Sequence, residues 1–529
     1  MGFRRNKQHT SEQKKQHERD YPIDLSKDLS SNLQILKTSI GHSPDVVIRP
    51  FKLGNTDIDA AIVYIEGLAD KRIINEHILS SLFREFPHSE QCEKLREEKV
   101  PNIVGRIKNR ILSVGEVREV STLDHCVLEV LSGNTQLLIN GHKRILSLST
   151  PGWDTRSLEE PQSEQVVRGP RVGFTETLRT NTTLMRRRIR DPNFSMNQYY
   201  IGRRSKTEIA ITYIKGIVNQ DLLDEVKRRI ERIDIDQLEE SGTVEQLIED
   251  NYLTPFPQLQ NTERPDRVSS ALAAGRVAIF VDGTPFVLIV PATFSILMES
   301  SEDYSERWIL ASLLRIVRYI AAFFALSLPS LYVAVISYHQ GLIPTKLAIF
   351  IAGTREGVPF PTIVEALLME FTLEIIREAG VRLPKPVGPA VSIVGGLVIG
   401  EAAVNAGLVS TMMVVVVALT AISSFALPQY GLGIAIRILR FGLMFSAAVL
   451  GLYGVVLCYL TLAVHIVKLK SFGVNYAAPF VPYRINDWKD FIIRAPVMSM
   501  ERRPAIFKTN DPVRQGKRRR KKAKEGKGK

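Results

Sequence analysis

Cysteine is scarce: three residues in 529, at Cys92, Cys126 and Cys458. They stand far apart, with none of the close spacings that metal or redox chemistry uses, so three reduced thiols are expected. The nine histidines form no HExxH or HxxxH pair, which removes the common zinc arrangements. No GxxxxGK[ST] or GxGxxG stretch occurs, so a nucleotide cradle has no support. No serine sits in a nucleophile elbow. No catalytic set, metal site or cofactor is therefore expected, and an enzyme is the least supported class. The start, "MGFRRNKQHTSEQKKQHERD", has no apolar core segment, so a secretory signal is not expected. Asn6 stands where a myristoylation motif wants Ser or Thr.

What is present divides the chain in two. Residues 1 to about 270 are charged and soluble in character, while 308–468 hold long apolar runs. The net charge is +13 and the chain ends in "KRRRKKAKEGKGK". A basic excess fits nucleic acid or an anionic membrane face. A basic tail that follows apolar helices favours the membrane, and no nucleic-acid partner is expected. The tail itself reads as disordered.

The soluble half carries a repeat. "AAIVYIEGLAD" (60–70) and "AITYIKGIVN" (210–219) align Tyr64 with Tyr213, Gly67 with Gly216 and Asp70 with Asn219. Each is a β-rich run, a Gly and a helix-like stretch, with Asp70 and Asn219 as N-caps. Two subdomains related by duplication are expected. "HCVLEVLSGNTQLLINGHK" reads as a hairpin around Gly133-Asn134. "GRVAIFVDGTPFVLIVP" (275–291) reads as a hairpin with Asp282-Gly283 in a type I′ turn. Between the subdomains lies a Pro-, Gly-, Arg- and Glu-rich connector. Its Arg run, 186–190, is read as part of an ion-paired connector, with phosphate binding as the alternative.

Four segments reach the roughly 20 residues that cross a bilayer: about 319–337, 387–408, 410–427 and 441–467. Pro329 implies a kink in the first, and 407–411 a tight turn between the second and third. The stretch 342–380 carries Glu365, Glu370, Glu374 and Glu378, which fits a helix on the interface, re-entrant or packed on protein, better than a span, and the spacing of the four resembles a solvated or interfacial face. Glu401 and Asn405 lie four apart, on one face of the second span. A carboxylate there needs a water-filled cavity or a partner, such as Arg437 or Arg440, or an aqueous helix end. The fold class expected is an α/β soluble region of two related subdomains, then an α-helical multi-spanning membrane domain, then a basic disordered tail. The boundaries are an arm at 1–30, subdomains at 31–150 and 196–300 joined by 151–195, a membrane domain at 301–470, a juxtamembrane region at 471–512 and the tail at 513–529. Lys and Arg at both ends place both on the cytoplasmic side.

"PDVVIRPFKLGN", "EEPQSEQVVRGPRVGFTETLRTNTTLMRRRI", "IEDNYLTPFPQLQNTERPDRV", "GTREGVPFPTIVEALLMEFTLEIIREAGVRLPKP" and "VSIVGGLVIGEAAVNAGLVS" resemble the A subunit of GerA-type spore germination receptors. The likeness covers about residues 25–500. It implies a multi-pass protein in the inner membrane of the dormant endospore. It implies a multi-spanning, transporter-like B subunit and a lipoprotein C subunit as partners. It further implies nutrient sensing, largely through the B subunit, and release of monovalent cations. The implied assembly is a homo-oligomer, a pentamer, forming a ligand-gated channel.

In a channel subunit some helix lines the pore, and the second span is the candidate. Its polar members are Ser392, Glu401 and Asn405. Val391, Val394, Val398 and Ile399 are candidates for a hydrophobic gate, and a ring of carboxylates would favour cations. Gly388, Gly395, Gly396 and Gly400 would allow close helix packing. The nutrient-binding residues are not legible. Two other classes stay open: a non-conducting signalling or structural subunit acting on another spore channel, and a secondary transporter. The transporter would need internal membrane repeats, which the spans do not show.

Overall fold

The computed structural model describes residues 25–54, 56–84, 104–152, 160–161, 163–382, 400–484 and 487–515. Cys92, most of the N-terminal arm, the basic tail and most of the expected second span lie outside them.

The first subdomain opens with helix α1 (Leu29–Ser39), capped by Asp28, whose carboxylate accepts from the Ser30 and Ser31 amides. Strands β1 (Val46–Lys52) and β2 (Asp59–Ile65) follow, then α2, a π-helical stretch Ile73–Leu79 running into Ser80–Arg84. Asp70 caps it through the Arg72 amide at 2.8 Å. Next come β3 (Val117–Val120), α3 (Leu123–Leu131), β4 (Thr135–Ile139) and β5 (Ile145–Leu148). The second subdomain runs α4 (Leu178–Arg188), β6 (Phe194–Ile201), β7 (Thr207–Ile214), α5 (Gln220–Glu231), α6 (Ser241–Ile248), β8 (Gln260–Thr262), α7 (Pro265–Ala273), β9 (Val277–Val281) and β10 (Val287–Val290). Asn219 caps α5 through the Asp221 amide at 2.9 Å.

The two sheets have one topology. Their orders are β1-β2-β4-β5-β3 and β6-β7-β9-β10-β8, so each places its third strand in the chain at the far edge. Every pair within them is antiparallel. A parallel, doubly wound sheet would have needed crossover helices between neighbouring strands. The period of two along each strand divides its residues between two cores. In the second sheet Ile209, Ile211, Val277 and Ile279 face α5 and α6. Ala210, Ala278, Phe280 and Ile289 face α4 and α7. The first sheet repeats this with Ile62 and Leu137 toward α2, and Val63 and Leu138 toward α1 and α3. Each fully buried aliphatic or aromatic side chain contributes about 1.5–3 kcal/mol. The two three-layer units share one strand order, one layering and one pair of capping positions.

Two local expectations change. Residues 123–131 form a helix rather than a hairpin arm. Leu123, Cys126, Val127, Val130 and Leu131 are its buried stripe, a spacing of three and four. Cys126 is fully buried, and burial pushes its thiol up to about 12, which keeps it protonated and inert. The 275–291 hairpin forms, with Leu288 opposite Ile279, but its turn is not type I′. Of Asp282 and Gly283 only Gly283 has positive φ, while type I′ needs both. Asp282 instead accepts from the Leu178 amide at 2.9 Å, at the start of α4.

The connector is ordered by ion pairs where it is described. Glu164 takes Arg267 at 2.5 Å. In the Arg run, Arg186 is nearly fully buried and holds Asp45 of the first subdomain through two bonds of 2.8 and 2.9 Å. It also donates to the Phe194 carbonyl and stacks on that ring. Arg186 is thus a bracket between subdomains, unavailable to a phosphate.

The second half is a helical bundle: α8 (Trp308–Tyr338), α9 (Thr345–Arg355), α10 (Thr362–Arg382), α11 (Thr411–Phe425) and α12 (Tyr430–Lys468). Among the described residues, α8 and α12 are long and apolar enough to cross a membrane. α11 has 15 residues, about 22 Å of helix. α8, α10, α11 and α12 share a core of Val333, Ala366, Met413, Val417, Leu443 and Ala447. Their outer faces are apolar too: Leu313, Val317, Ile320 and Phe323 on α8, and Phe445, Val449, Tyr453 and Val456 on α12, are exposed.

α8 contains Pro329, and α12 is broken at Gly451, with φ 61° and ψ −142°. The Ala448 carbonyl, ahead of the break, accepts from the Tyr338 hydroxyl (2.5 Å), and across the break the Ser446 hydroxyl donates to the Gly454 carbonyl (2.7 Å). A Cβ at Gly451 would stand 2.8 Å from Cε1 of His339. Gly451→Ala should therefore cost about 1–3 kcal/mol, read as a lower unfolding midpoint of the purified protein. An unchanged midpoint would show that the break is not required.

Candidate functional site

The chemistry-bearing groups of the bundle are charges inside an apolar helical core, where each must find a partner. α10 presents glutamates at 365, 370 and 374; α12 presents arginines at 437 and 440. Glu370 and Arg440 are almost fully buried and meet at 2.5 Å. Glu374 meets Arg437 at 2.8 Å. Rising numbers on α10 pair with falling numbers on α12, so the ladder joins antiparallel helices at spacings of four and three. Arg377 adds a bond to the Ser424 hydroxyl of α11 at 3.0 Å and stacks on Phe425.

Glu365, also fully buried, is bound on three sides. Arg355 of α9 donates at 2.8 Å. The Ser410 amide and hydroxyl donate at 3.1 and 3.0 Å. Ser410 is the N-cap of α11, its oxygen accepting from the Met413 amide at 3.4 Å. A carboxylate at a helix N-terminus also meets the favourable end of the helix dipole. One side chain thus fixes α9, α10 and the start of α11.

Of the two readings of this helix, a solvated face is corrected for Glu365 and Glu370, and a helix packed on protein is what the structure shows. Their spacing fits a surface stripe, but arginines supplied by α9 and α12 make burial possible. The signal available was the complementary pair Arg437 and Arg440 in an otherwise apolar run.

Among the pore candidates, Gly388, Val391, Ser392, Val394, Gly395, Gly396, Val398 and Ile399 fall outside the described residues. Gly400, Glu401 and Asn405 are described, in a helical stretch ending at 405. The tight turn follows: Gly407 has φ 66°, with Leu408 N–H bonded to Ala403 O and Gly407 N–H to Val404 O. This is a Schellman stop, in which Gly relieves the left-handed position. Gly400 faces α11, where an added Cβ would make only ordinary contact with Val414 at 3.7 Å. Glu401 and Asn405 are both exposed, on the outside of the bundle. Arg437 and Arg440, considered as partners for Glu401, are held by Glu374 and Glu370.

The sequence profile described as Bacillus/Clostridium GerA spore germination protein matches residues 34–506. The chain belongs to the GerA family. Spore germination protein B1 of Bacillus subtilis (strain 168) is 43% identical over 493 residues, covering 93% of this chain and 100% of that protein. A Bacillus subtilis (strain 168) protein named uncharacterized membrane protein YfkQ is 44% identical over 499 residues, covering 94% of each chain. The N-terminal domain of the A subunit of the Bacillus megaterium spore germinant receptor GerK3, a crystal structure, is 38% identical. It covers 52% of this chain and 98% of its own, with a TM-score of 0.38. The GerA-family chain thus spans nearly the whole length of both named relatives.

Proposed function

We propose that this chain is the A subunit of a nutrient-sensing spore germination receptor and forms a monovalent-cation channel as a homo-oligomer in the endospore inner membrane. On this reading it is multi-pass, with the soluble region and C-terminal tail facing the cytoplasm. It acts with a multi-spanning B subunit and a lipoprotein C subunit. Segment 387–408 lines the pore, so that Glu401 and Asn405 point to its axis and each copy adds one carboxylate to a ring. The residues at 391–399 supply the gate.

The observation that carries this reading is Glu401. It is an exposed carboxylate in the described helical stretch 400–405, with no ion pair or hydrogen bond to another described residue, while Arg437 and Arg440, the partners the sequence offered, are taken. An outward carboxylate on an apolar bundle is stable where water reaches it, as it does along the axis of an oligomer.

Glu401→Gln removes the charge and keeps the shape. It should slow nutrient-triggered potassium release and reduce cation over anion permeability on the order of tenfold, as loss of about 1.4 kcal/mol of attraction would do. Protein level in the spore membrane is measured alongside. Unchanged release and selectivity at normal levels would remove Glu401 from the ion path. Purified protein that conducts no ions in liposomes would favour the non-conducting signalling subunit.

A further inference from the structure

We propose that a cavity between the second subdomain and the C-terminal segment binds a small molecule bearing a carboxylate or phosphate, with Arg276 and Arg494 as the cations that receive it. The cavity measures about 520 Å³, the size of a small-molecule site. Its walls come from three parts of the chain. α7 and the approach to β9 supply Arg267 and Arg276. The turn before α8 supplies Glu299, Ser301 and Tyr304. The C-terminal segment supplies Phe491, Arg494 and Phe507.

The charges lining it do not balance locally. Asp490 is held by Arg315 at 3.0 Å and by the Tyr304 hydroxyl at 2.8 Å. Asp266 pairs with Arg264 at 3.2 Å, and Asp487 accepts from the Ala505 amide at 3.0 Å. Glu299 lies 3.2 Å from the Tyr304 hydroxyl, whose one proton goes to Asp490 at the shorter distance, and burial pushes the Glu299 carboxyl up to about 7, toward its neutral form. On the other side, Arg267 has Glu164, and Arg503 has Asp511.

Arg276 and Arg494 have no carboxylate within ion-pair distance among the described residues. Arg276 is 5% exposed and donates only to the Pro291 and Ile289 carbonyls and the Gln260 amide oxygen. Burial pushes it down to about 9, a shift that the charge of Glu299 offsets only in part. Arg494 is 3% exposed. It donates to the Glu306 carbonyl at 2.8 Å, and its buried Nε has no partner. The buried Ser301 hydroxyl is also without a partner. Buried guanidiniums without a counter-ion are costly. An oxyanion beside them supplies both the missing charge and the missing acceptor, in the planar geometry that arginine favours. Phe491, Phe507 and Ile296 give an apolar wall for the rest of the molecule. Asp490 ties the cavity to Arg315 of α8, so occupancy would bias how α8 is seated, to the extent that the ligand prefers one arrangement. This inference does not depend on whether the chain conducts ions.

The test uses the full chain in nanodiscs at low ionic strength. Inorganic phosphate and succinate are the probes, one for each source of the anionic group, titrated by calorimetry. Saturable binding of either is expected, weakened at least about tenfold by Arg494→Gln. A second measurement does not rely on that variant folding. In Ser301→Cys, with labelling of the unsubstituted protein subtracted, a sulfonate-bearing methanethiosulfonate should react at least about tenfold faster than its trimethylammonium counterpart. The bound probe should slow that reaction. No saturable binding of either probe, equal affinity in a folded Arg494→Gln protein, or faster reaction of the cationic reagent would each overturn the proposal.

Discussion

Arg440→Met should destabilise the membrane half by about 3–5 kcal/mol, the cost of stranding one member of a buried ion pair. Glu370 has no exposure and Arg440 about 1%, so solvent cannot take over from the lost guanidinium. The neighbouring cation is not free to substitute, because Arg437 is engaged by Glu374 at 2.8 Å. The loss should appear as a lower midpoint in detergent-driven unfolding and a lower yield of folded protein. The double variant Glu370→Leu with Arg440→Met should recover most of that loss. It removes both desolvation penalties and refills the volume with apolar groups, an exchange that is often neutral or better. A single variant as stable as the parent, or a double variant no better than the single, would show that the pair does not hold α10 to α12.

Much of the soluble half was legible because local and tertiary preferences agree there. The 149-residue offset between Tyr64 and Tyr213 survives in the strands, since Ile65 ends β2 and Ile214 ends β7. Asp70 and Asn219 cap the helices that follow. Where the reading failed, two signals competed. "HCVLEVLS" is rich in apolar residues that also suit a strand, and only the three-four spacing of Cys126, Val127, Val130 and Leu131 marks the helix. Asp282-Gly283 has the composition of a tight hairpin, yet Asp282 is drawn away to hold α4.

The membrane half was legible as apolar length but not as pairing. Glu370 and Glu374 share a face with Arg377 close by, a pattern that serves equally for a wet surface and for a buried seam. Which it is depends on what α12 brings across, and that is a fact of tertiary structure. Glu401 is the converse case. Its cost in an apolar helix was visible from the sequence, and the structure narrows its options by giving Arg437 and Arg440 to other carboxylates.

Asp303→Asn should have an effect of similar size, about 3–5 kcal/mol, at the junction between the soluble and membrane halves. Asp303 is 1% exposed. One carboxylate oxygen accepts from Arg315 Nε at 2.8 Å and Arg318 Nη1 at 2.9 Å, the other from Arg318 Nη2 at 2.5 Å. Both arginines lie on α8, one turn apart, and Arg315 reaches on to Asp490 in the C-terminal segment. Asparagine keeps one acceptor but turns a donor toward the guanidiniums and deletes the charge that balances them. Burial raises the Asp303 carboxyl, yet the Arg318 bond and the Arg315 and Arg318 charges outweigh it and hold it below the ordinary value of 3.8. A depressed carboxyl stabilises the fold fully above its unfolded value and loses that contribution as pH falls through the folded one. The parent protein should therefore lose stability below about pH 4 more steeply than Asp303→Asn does. Tryptophan fluorescence reads the transition directly, since Trp308 begins α8 and Trp488 lies two residues from Asp490. As a control, Asp236→Asn breaks a pair with Arg204 in which both partners are exposed, and should be nearly silent. Equal midpoints for the parent and Asp303→Asn across the pH range would mean that α8 is seated by packing alone, with the buried charges contributing no net stability.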